Sequence, residues 1–360
     1  MKKFIVLLLA AATLVSLTAC KRAAENEETR KEDLFSATET PASDMSDFLA
    51  KETYLGDTIV TSPHISLDAQ GSHLRYRGGT AELDVTTTGS RNGKAEYGFF
   101  LLLNGIPQSF TLETAEDTSH RETAYLQTFS LEAQETQHFH LTFTPNTGKV
   151  GDVLPLTLCY MIEPSYTAVY DGYGSYGRYT EHRYQRIDRL FLHLETDAPT
   201  QAEPASMPFT RAAVSDVYRS WFVGEEQDNW GQNYHVTLYT NSTYAEQGKQ
   251  VIFVPRQKDA SLTLDVFGMA ADWRASLFIN HVPVSFSDGR TYFDFSTDAK
   301  AVTRLTLPVD VSALPENNHA YLLLAKRETG DDPYAVKGTF DDPQKIGTYY
   351  FIVGGTDEAA

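Results

Sequence analysis

Apolar and polar side chains alternate along several short stretches of the chain. The alternation is clear in 82–85 ("ELDV"), 263–266 ("TLDV") and 138–143 ("HFHLTF"). Because successive side chains of a β-strand point to opposite faces of a sheet, a period of two predicts half-buried strands. The same reasoning predicts that Asp84 and Asp265 lie on the solvent side of their strands.

Two segments of ten residues have similar sequences, "LLLNGIPQSF" at 101–110 and "LFINHVPVSF" at 277–286. The first copy has Asn-Gly between apolar runs, which is a strong hairpin signal because both central residues of that turn need a positive φ. Pro107 and Pro283 follow the two turns. Proline has no N–H to donate to a sheet ladder, so we predict that both lie on edge strands.

The repetition extends beyond these two segments. The segment 69–85 parallels 246–266, and 140–158 parallels 304–324, with the order along the chain preserved. The period is about 180 residues, far longer than the repeats of solenoid proteins. We therefore predict an internal duplication that gives two tandem domains of the same kind.

Frequent turn signals between short alternating strands are typical of antiparallel sandwiches. We predict an all-β chain with one β-sandwich in 53–200 and a second in 201–360. The proline-rich segment 197–208 ("DAPTQAEPASMP") marks the expected boundary, and it is short enough that the two domains should touch. Helical spacing is suggested only in 208–222.

Two lines carry a resemblance to a known architecture. "FLLLNGIPQSF" and "GDVLPLTL", with an alternating strand between them, resemble the immunoglobulin-like modules of bacterial surface proteins. The Cys…Trp…Cys set of true immunoglobulin domains is absent from the sequence. The resemblance implies tandem immunoglobulin-like β-sandwiches, and an architecture of this kind does not by itself specify a function.

The N-terminus has the pattern of an export signal. Lys2 and Lys3 precede an apolar run that ends in "LTAC" at Cys20. The run is short for a bilayer span and ends like a cleavage site. It resembles the lipobox of bacterial lipoproteins, which implies a signal peptide at 1–19 and acylation of Cys20. Residues 20–52 are rich in charged and small polar residues, so we predict a disordered acidic tether.

Charge limits the range of partners. The formal net charge is −18, and removal of the signal peptide's two lysines would make it −20. A chain of this charge is repelled by phosphates, so we predict no nucleic-acid partner. The predicted contacts are the membrane, through the lipid anchor on the extracytoplasmic face, and an unidentified protein or glycan. No cofactor is predicted.

The segment 160–184 is unusually rich in tyrosine. Tyr170, Tyr173, Tyr176 and Tyr179 recur at every third position with glycines between them. Tyrosine supplies a large amphipathic contact area at low entropic cost, which is typical of binding loops. We interpret these four tyrosines as a candidate binding loop. The alternative is an edge hairpin whose tyrosines pack on its own sheet or on the second domain.

Other candidate chemistry is sparse. His138 and His140 share one strand face and most simply point to solvent, and Cys159 lies in an apolar run typical of a buried thiol. The "DDP" triplets at 331–333 and 341–343 lack the ligand order of a calcium loop. No catalytic residue and no metal site are therefore predicted. A non-catalytic binding module is preferred over a carbohydrate-active hydrolase with a site between the domains, or an architectural subunit of an envelope complex.

Overall fold

The computed structural model describes residues 64–67, 73–89, 93–114, 122–167, 169–170, 185–200, 206–220, 233–242, 245, 247–331 and 335–354. The predicted signal peptide and tether lie outside this part of the chain. Strands account for nearly all of the regular structure that is described. No described helix is both long enough and apolar enough to cross a bilayer.

Ten strands build the first sandwich. They are β1 (His64–Leu67), β2 (His73–Tyr76), β3 (Ala81–Thr88), β4 (Ala95–Leu103), β5 (Ile106–Gln108), β6 (Thr111–Thr114), β7 (Leu126–Leu131), β8 (Thr136–Phe143), β9 (Val153–Ile162) and β10 (Gln185–Leu194). One sheet has the order β1-β3-β8-β6. The facing sheet has the order β2-β10-β9-β4-β5, with β7 also paired to β4.

Ten further strands and one helix build the second sandwich. They are β11 (Phe209–Ala213), α1 (Asp216–Ser220), β12 (Tyr234–Tyr239), β13 (Val251–Val254), β14 (Ala260–Gly268), β15 (Asp272–Ile279), β16 (Val282–Pro283), β17 (Phe293–Ser296), β18 (Ala301–Val309), β19 (Asn317–Arg327) and β20 (Phe340–Val353). The sheets have the orders β11-β18-β14-β12 and β13-β20-β19-β15-β16, with β17 also paired to β15. The predicted all-β fold of two sandwiches is confirmed.

The second sandwich repeats the strand order of the first. The six-stranded sheets correspond strand for strand. The four-stranded sheets differ at one edge, where β6 follows the hairpin of the first sandwich but β11 is the first strand of the second sandwich. Asn104 and Asn280 lie at equivalent hairpin turns, both with positive φ. The domain limits at 200 and 201 stay a prediction, since 201–205 lies outside the described residues.

The hairpin turns and prolines are placed as the sequence predicts. Asn104 and Gly105 have φ values of 53° and 73°. A Cβ on Gly105 would lie 3.3 Å from side-chain carbons of both Ala325 and Phe340 in the second sandwich, so a larger residue would also be tightly packed there. Pro107 and Pro283 lie on β5 and β16, the edge strands of the six-stranded sheets.

Each six-stranded sheet contains one parallel pair, β2 with β10 and β13 with β20. The prediction of purely antiparallel sheets is therefore incomplete. A parallel pair needs a long connection between its strands. In both sandwiches the rest of the unit provides it, because the two partners come near the beginning and at the end of the unit.

The two six-stranded sheets pack against each other. Along β4, Phe99 and Leu101 enter the core of the first sandwich. Phe100 and Leu102 lie on its other face and pack against Phe278 of β15, in a cluster completed by residues of β9 and β19. The chain thus forms four layers of sheet within one compact unit. Strands buried on both faces read as nearly continuous apolar runs, which explains "FFLLL" in β4.

Two expectations differ from the structure. Asp265 is fully buried rather than exposed, because β12 and α1 place tyrosines over its face of β14. The segment 208–222 begins with strand β11 rather than a helix, and its helix α1 spans only Asp216–Ser220. Period-two spacing identifies the two faces of a strand but does not show whether a later segment covers the outer face.

Candidate functional site

A cleft of about 590 Å³ opens where the two sandwiches meet. Its first wall is the turn after β4, with Asn104 and Ile106. Its second wall is formed by the start of β15, by β17 and by the end of β19, with Arg274, Asp294 and Arg327. Ligand sites commonly occupy clefts of this size at junctions between domains.

Arg274 joins the two walls of the cleft. Its Nε and Nη2 each donate to one oxygen of Asp294 at 2.8 Å. Its Nη1 donates to the carbonyl oxygen of Asn104 in the first sandwich at 2.9 Å. The guanidinium carbon also lies 4.1 Å from the ring centre of Phe340 and 4.8 Å from that of Tyr292, within cation–π range. A guanidinium held by three hydrogen bonds and two rings is a fixed part of the cleft.

Asn104 completes the connection across the cleft. Its Oδ1 accepts a hydrogen bond of 2.7 Å from the backbone N–H of Phe340. The carbonyl and the side chain of one turn residue therefore each bind a different group of the second sandwich. This fixes the cleft's width.

The rim of the cleft is polar and accessible. Ser296 donates to Oδ1 of Asp272 at 2.7 Å, and Nη1 of Arg327 lies 3.8 Å from Oδ2 of the same carboxylate. Asp272 and Arg327 each keep 53% of their side chains exposed. A second depression of about 380 Å³ shares both residues and continues along Lys326 and Lys337. Charged groups that can bind a polar ligand therefore remain open at the rim.

An aromatic ring also lies on the cleft. Phe209 is 38% exposed and belongs to the cleft's lining. The guanidinium carbon of Arg211 lies 4.6 Å from its ring centre. An exposed ring beside fixed hydrogen-bonding groups is an arrangement suited to ligands with both apolar and hydroxyl faces.

Asp272 and Asp294 bring two carboxylates to the same cleft, from neighbouring strands β15 and β17. Both oxygens of Asp294 accept from Arg274, while those of Asp272 face Ser296 and Arg327. A carboxylate whose two oxygens are both engaged in this way is suited to binding and orienting a ligand. A general acid instead needs an environment that favours its protonated form.

The candidate tyrosine loop is described only at its start. Tyr170 is half-buried, and its ring centre lies 5.2 Å from that of Tyr350 and 6.0 Å from that of Phe253. Tyr170 therefore packs on the outer face of β13 and β20 in the second sandwich, together with Tyr166. The other three candidates, Tyr173, Tyr176 and Tyr179, lie outside the described residues.

The position of Tyr170 divides the four tyrosines into two groups in a stability test. We expect Tyr170→Ala to lower the free energy of unfolding measurably, because the substitution removes a ring packed on two others. The triple variant at 173, 176 and 179 should change it by no more than about 0.5 kcal/mol per site if those rings form a contact surface. Urea unfolding of both variants checks this. A large loss in the triple variant would show that these tyrosines stabilise the fold.

A second polar cluster lies on the outer face of the second sandwich. Asp265 accepts from Nε and Nη2 of Arg304, both at 2.7 Å, and from the phenols of Tyr218 and Tyr239, both at 3.0 Å. Burial, followed by the charge of Asp265, raises the pKa of Tyr239 to about 12 and raises that of Tyr218 further. The hydrogen bond to Asp265 raises the pKa of Arg304. The carboxylate of Asp265 thus accepts hydrogen bonds at both oxygens, and those from the two tyrosines hold α1 and β12 against β14.

The remaining sequence candidates have ordinary places in the structure. Nδ1 of His138 lies 2.8 Å from the hydroxyl of Thr86, and Nδ1 of His140 lies 2.7 Å from Oδ1 of Asp84, both on the outer face of the first sandwich. Cys159 is buried between the sandwiches rather than in a sandwich core. Cys20 lies outside the described residues.

Comparisons with known proteins do not show a family for the chain. No protein-family model matches the sequence, and neither does any curated protein. Among solved structures it is similar to a Porphyromonas gingivalis W83 protein of unknown function (9% identity, 81% of this chain, 98% of that chain, TM-score 0.20). It is also similar to the periplasmic chaperone SfaE (8% identity, 81% of this chain, 100% of that chain, TM-score 0.19). A third similar structure is the C-terminal domain of the Streptococcus agalactiae AgI/II polypeptide BspA (8% identity, 81% of this chain, 100% of that chain, TM-score 0.18). TM-scores this low carry no argument about this chain.

The sequence did not single out the cleft. Arg274 lies 170 residues from Asn104 and 20 from Asp294. Asp294 is the register partner of Arg274 on the neighbouring strand, whereas only the docking of two sheets brings Asn104 to Arg274. The one available signal was Arg274 in "DWRASLFI", a charged residue inside an otherwise apolar strand.

Proposed function

We propose that this chain is a membrane-anchored extracytoplasmic lipoprotein that binds a protein or glycan without catalysis. The observation that carries the proposal is the cleft between the sandwiches, whose polar wall is held rigid by Arg274. Rigid, pre-oriented groups lower the entropic cost of binding. The N-terminal signal and Cys20 would hold this surface outside the membrane.

The chemistry of the cleft favours a glycan over a protein segment. Asp272, Ser296 and Arg327 offer acceptors and donors side by side, which match neighbouring sugar hydroxyls. The exposed ring of Phe209 would stack on the apolar face of a sugar ring. The tyrosine loop, the sequence's own candidate, would add contact area elsewhere on the chain.

Binding is tested with the detergent-purified full chain on an array of glycans. Phe209→Ala and Asp272→Asn change exposed side chains of the cleft and should abolish retention without altering the melting temperature. Val150→Ala, at a residue that is 63% exposed and is not part of the cleft's lining, is the matched control. Equal retention by all three variants would contradict binding at the cleft.

Anchoring is tested separately. We expect Cys20→Ala to leave the precursor unprocessed or to release the chain from membranes, because several acyl chains are needed for stable attachment. Membrane fractionation and electrophoretic mobility report the result. A variant that fractionates and migrates like the wild type would show that Cys20 is not lipidated.

A hydrolase is the second candidate, because Asp272 and Asp294 share the cleft. It requires one of these carboxylates to leave its guanidinium partner when substrate enters. Hydrolysis and simple binding then differ in whether the bound glycan is recovered intact.

A further inference from the structure

Two histidines meet at the edge of the first sandwich's six-stranded sheet. Nδ1 of His73 on β2 lies 2.7 Å from Nε2 of His193 on β10. The ring of His73 stacks on Phe191, with centroids 5.5 Å apart and planes 22° apart, which orients it toward His193. His73 is exposed and His193 half-buried, so the pair is open to solvent.

The geometry is close to that of two ligands on one metal ion. Metal–nitrogen distances near 2.0–2.1 Å put two neighbouring imidazole nitrogens about 2.9 Å apart at a right angle and about 3.4 Å apart in a tetrahedral site. The observed distance of 2.7 Å is shorter than either, so the two nitrogens must move apart by a few tenths of an ångström at a right angle and by more in a tetrahedral site. A slight rotation of the exposed His73 ring would open the space. In the absence of metal, one ring donates its N–H to the other.

An ion-pair network of two arginines and one glutamate lies beside the pair. Arg75 and Arg77 each donate to a different oxygen of Glu195, at 2.8 and 2.9 Å. Burial, then the charges of His73 and Arg75, lowers the pKa of His193, while Glu195 opposes the shift.

We propose that His73 and His193 form a two-histidine site for a borderline divalent transition metal such as Zn²⁺, Ni²⁺ or Cu²⁺. Water would fill the remaining coordination positions, since the described residues include no cluster of three or more metal-ligating side chains. The site differs from the expectation of no metal. That expectation weighed His138 and His140, whereas these two histidines lie 120 residues apart in sequence. The metal would fasten β2, whose only strand partner in the described sheet is β10.

Metal binding by the full chain, purified in detergent without a polyhistidine tag, tests the site. We expect one equivalent of Ni²⁺ or Zn²⁺ to bind saturably at pH 7.5 by calorimetry and to raise the melting temperature, because the ion binds the folded state alone. Ca²⁺ and Mg²⁺ should do neither, since hard cations prefer oxygen ligands. His73→Gln and His193→Gln should each weaken binding at least about tenfold.

His138→Gln is the matched control, as an exposed strand histidine of the same sandwich, and it should bind metal like the wild type. Cu²⁺ electron paramagnetic resonance of the wild type should show two coupled nitrogens, which decides the point even if a variant folds poorly. Absence of saturable binding, or unchanged affinity in folded His73→Gln and His193→Gln, would overturn the proposal.

Discussion

Replacing Arg304 by Met is expected to lower the free energy of unfolding by about 3–5 kcal/mol, because it leaves a buried carboxylate without its cation. Asp265 is fully buried, and Arg304 covers both of its oxygens. The phenols of Tyr218 and Tyr239 would remain as donors but carry no charge to balance it. Urea unfolding followed by circular dichroism measures the loss.

The equivalent pair in the first sandwich is a natural control. Asp84 and His140 occupy the same register positions on β3 and β8 as Asp265 and Arg304 on β14 and β18. Their side chains are 63% and 38% exposed. His140→Ala should therefore cost no more than about 1 kcal/mol.

A double variant isolates the role of burial. Asp265→Leu combined with Arg304→Met removes the unpaired buried charge and should recover part of the single variant's loss, although the phenols of Tyr218 and Tyr239 then lose their acceptor. A double variant as unstable as Arg304→Met alone would contradict this account of the cluster.

Phe278→Ala is expected to cost about 3–5 kcal/mol, because the substitution leaves a cavity between the docked sheets. Phe278 is 1% exposed. Its ring is parallel to that of Tyr321, with centres 5.2 Å apart, and its ring centre lies 6.1 Å from that of Phe100 in the first sandwich. The residue belongs to neither sandwich core but to the cluster between the sandwiches, so its cost includes the contact with the first sandwich.

Val282→Ala serves as the control, since it lies four residues further on and is 59% exposed. It should change the stability by no more than about 0.5 kcal/mol. Calorimetry of both variants decides the matter. A loss below 1 kcal/mol in Phe278→Ala would mean that the sandwiches are not docked through this face.

Local patterns predicted the strands but not what covers them. "ELDV" and "TLDV" have the same alternation, yet Asp84 faces solvent while Asp265 is buried beneath Tyr218 and Tyr239. The covering groups arrive from segments 26 and 47 residues away from Asp265, beyond the reach of a period-two argument.

The sequence partly indicated that the two sheets pack against each other. The apolar run in β4 gave no polar face, which is typical of a strand buried on both sides. It did not identify the partner, because any apolar sheet face satisfies the same pattern. The cleft follows from that docking, and so its residues could not be found before the two sheets were placed.

One measurement tests the central claim, that the cleft binds a ligand and leaves it unchanged. The full chain is incubated on a glycan array that is then read twice, for retained protein and for the mass of every printed glycan. The account predicts retention on a subset of glycans whose masses are unchanged, with retention lost in Phe209→Ala and Asp272→Asn. Shortened glycans, or retention that survives both substitutions, would contradict it.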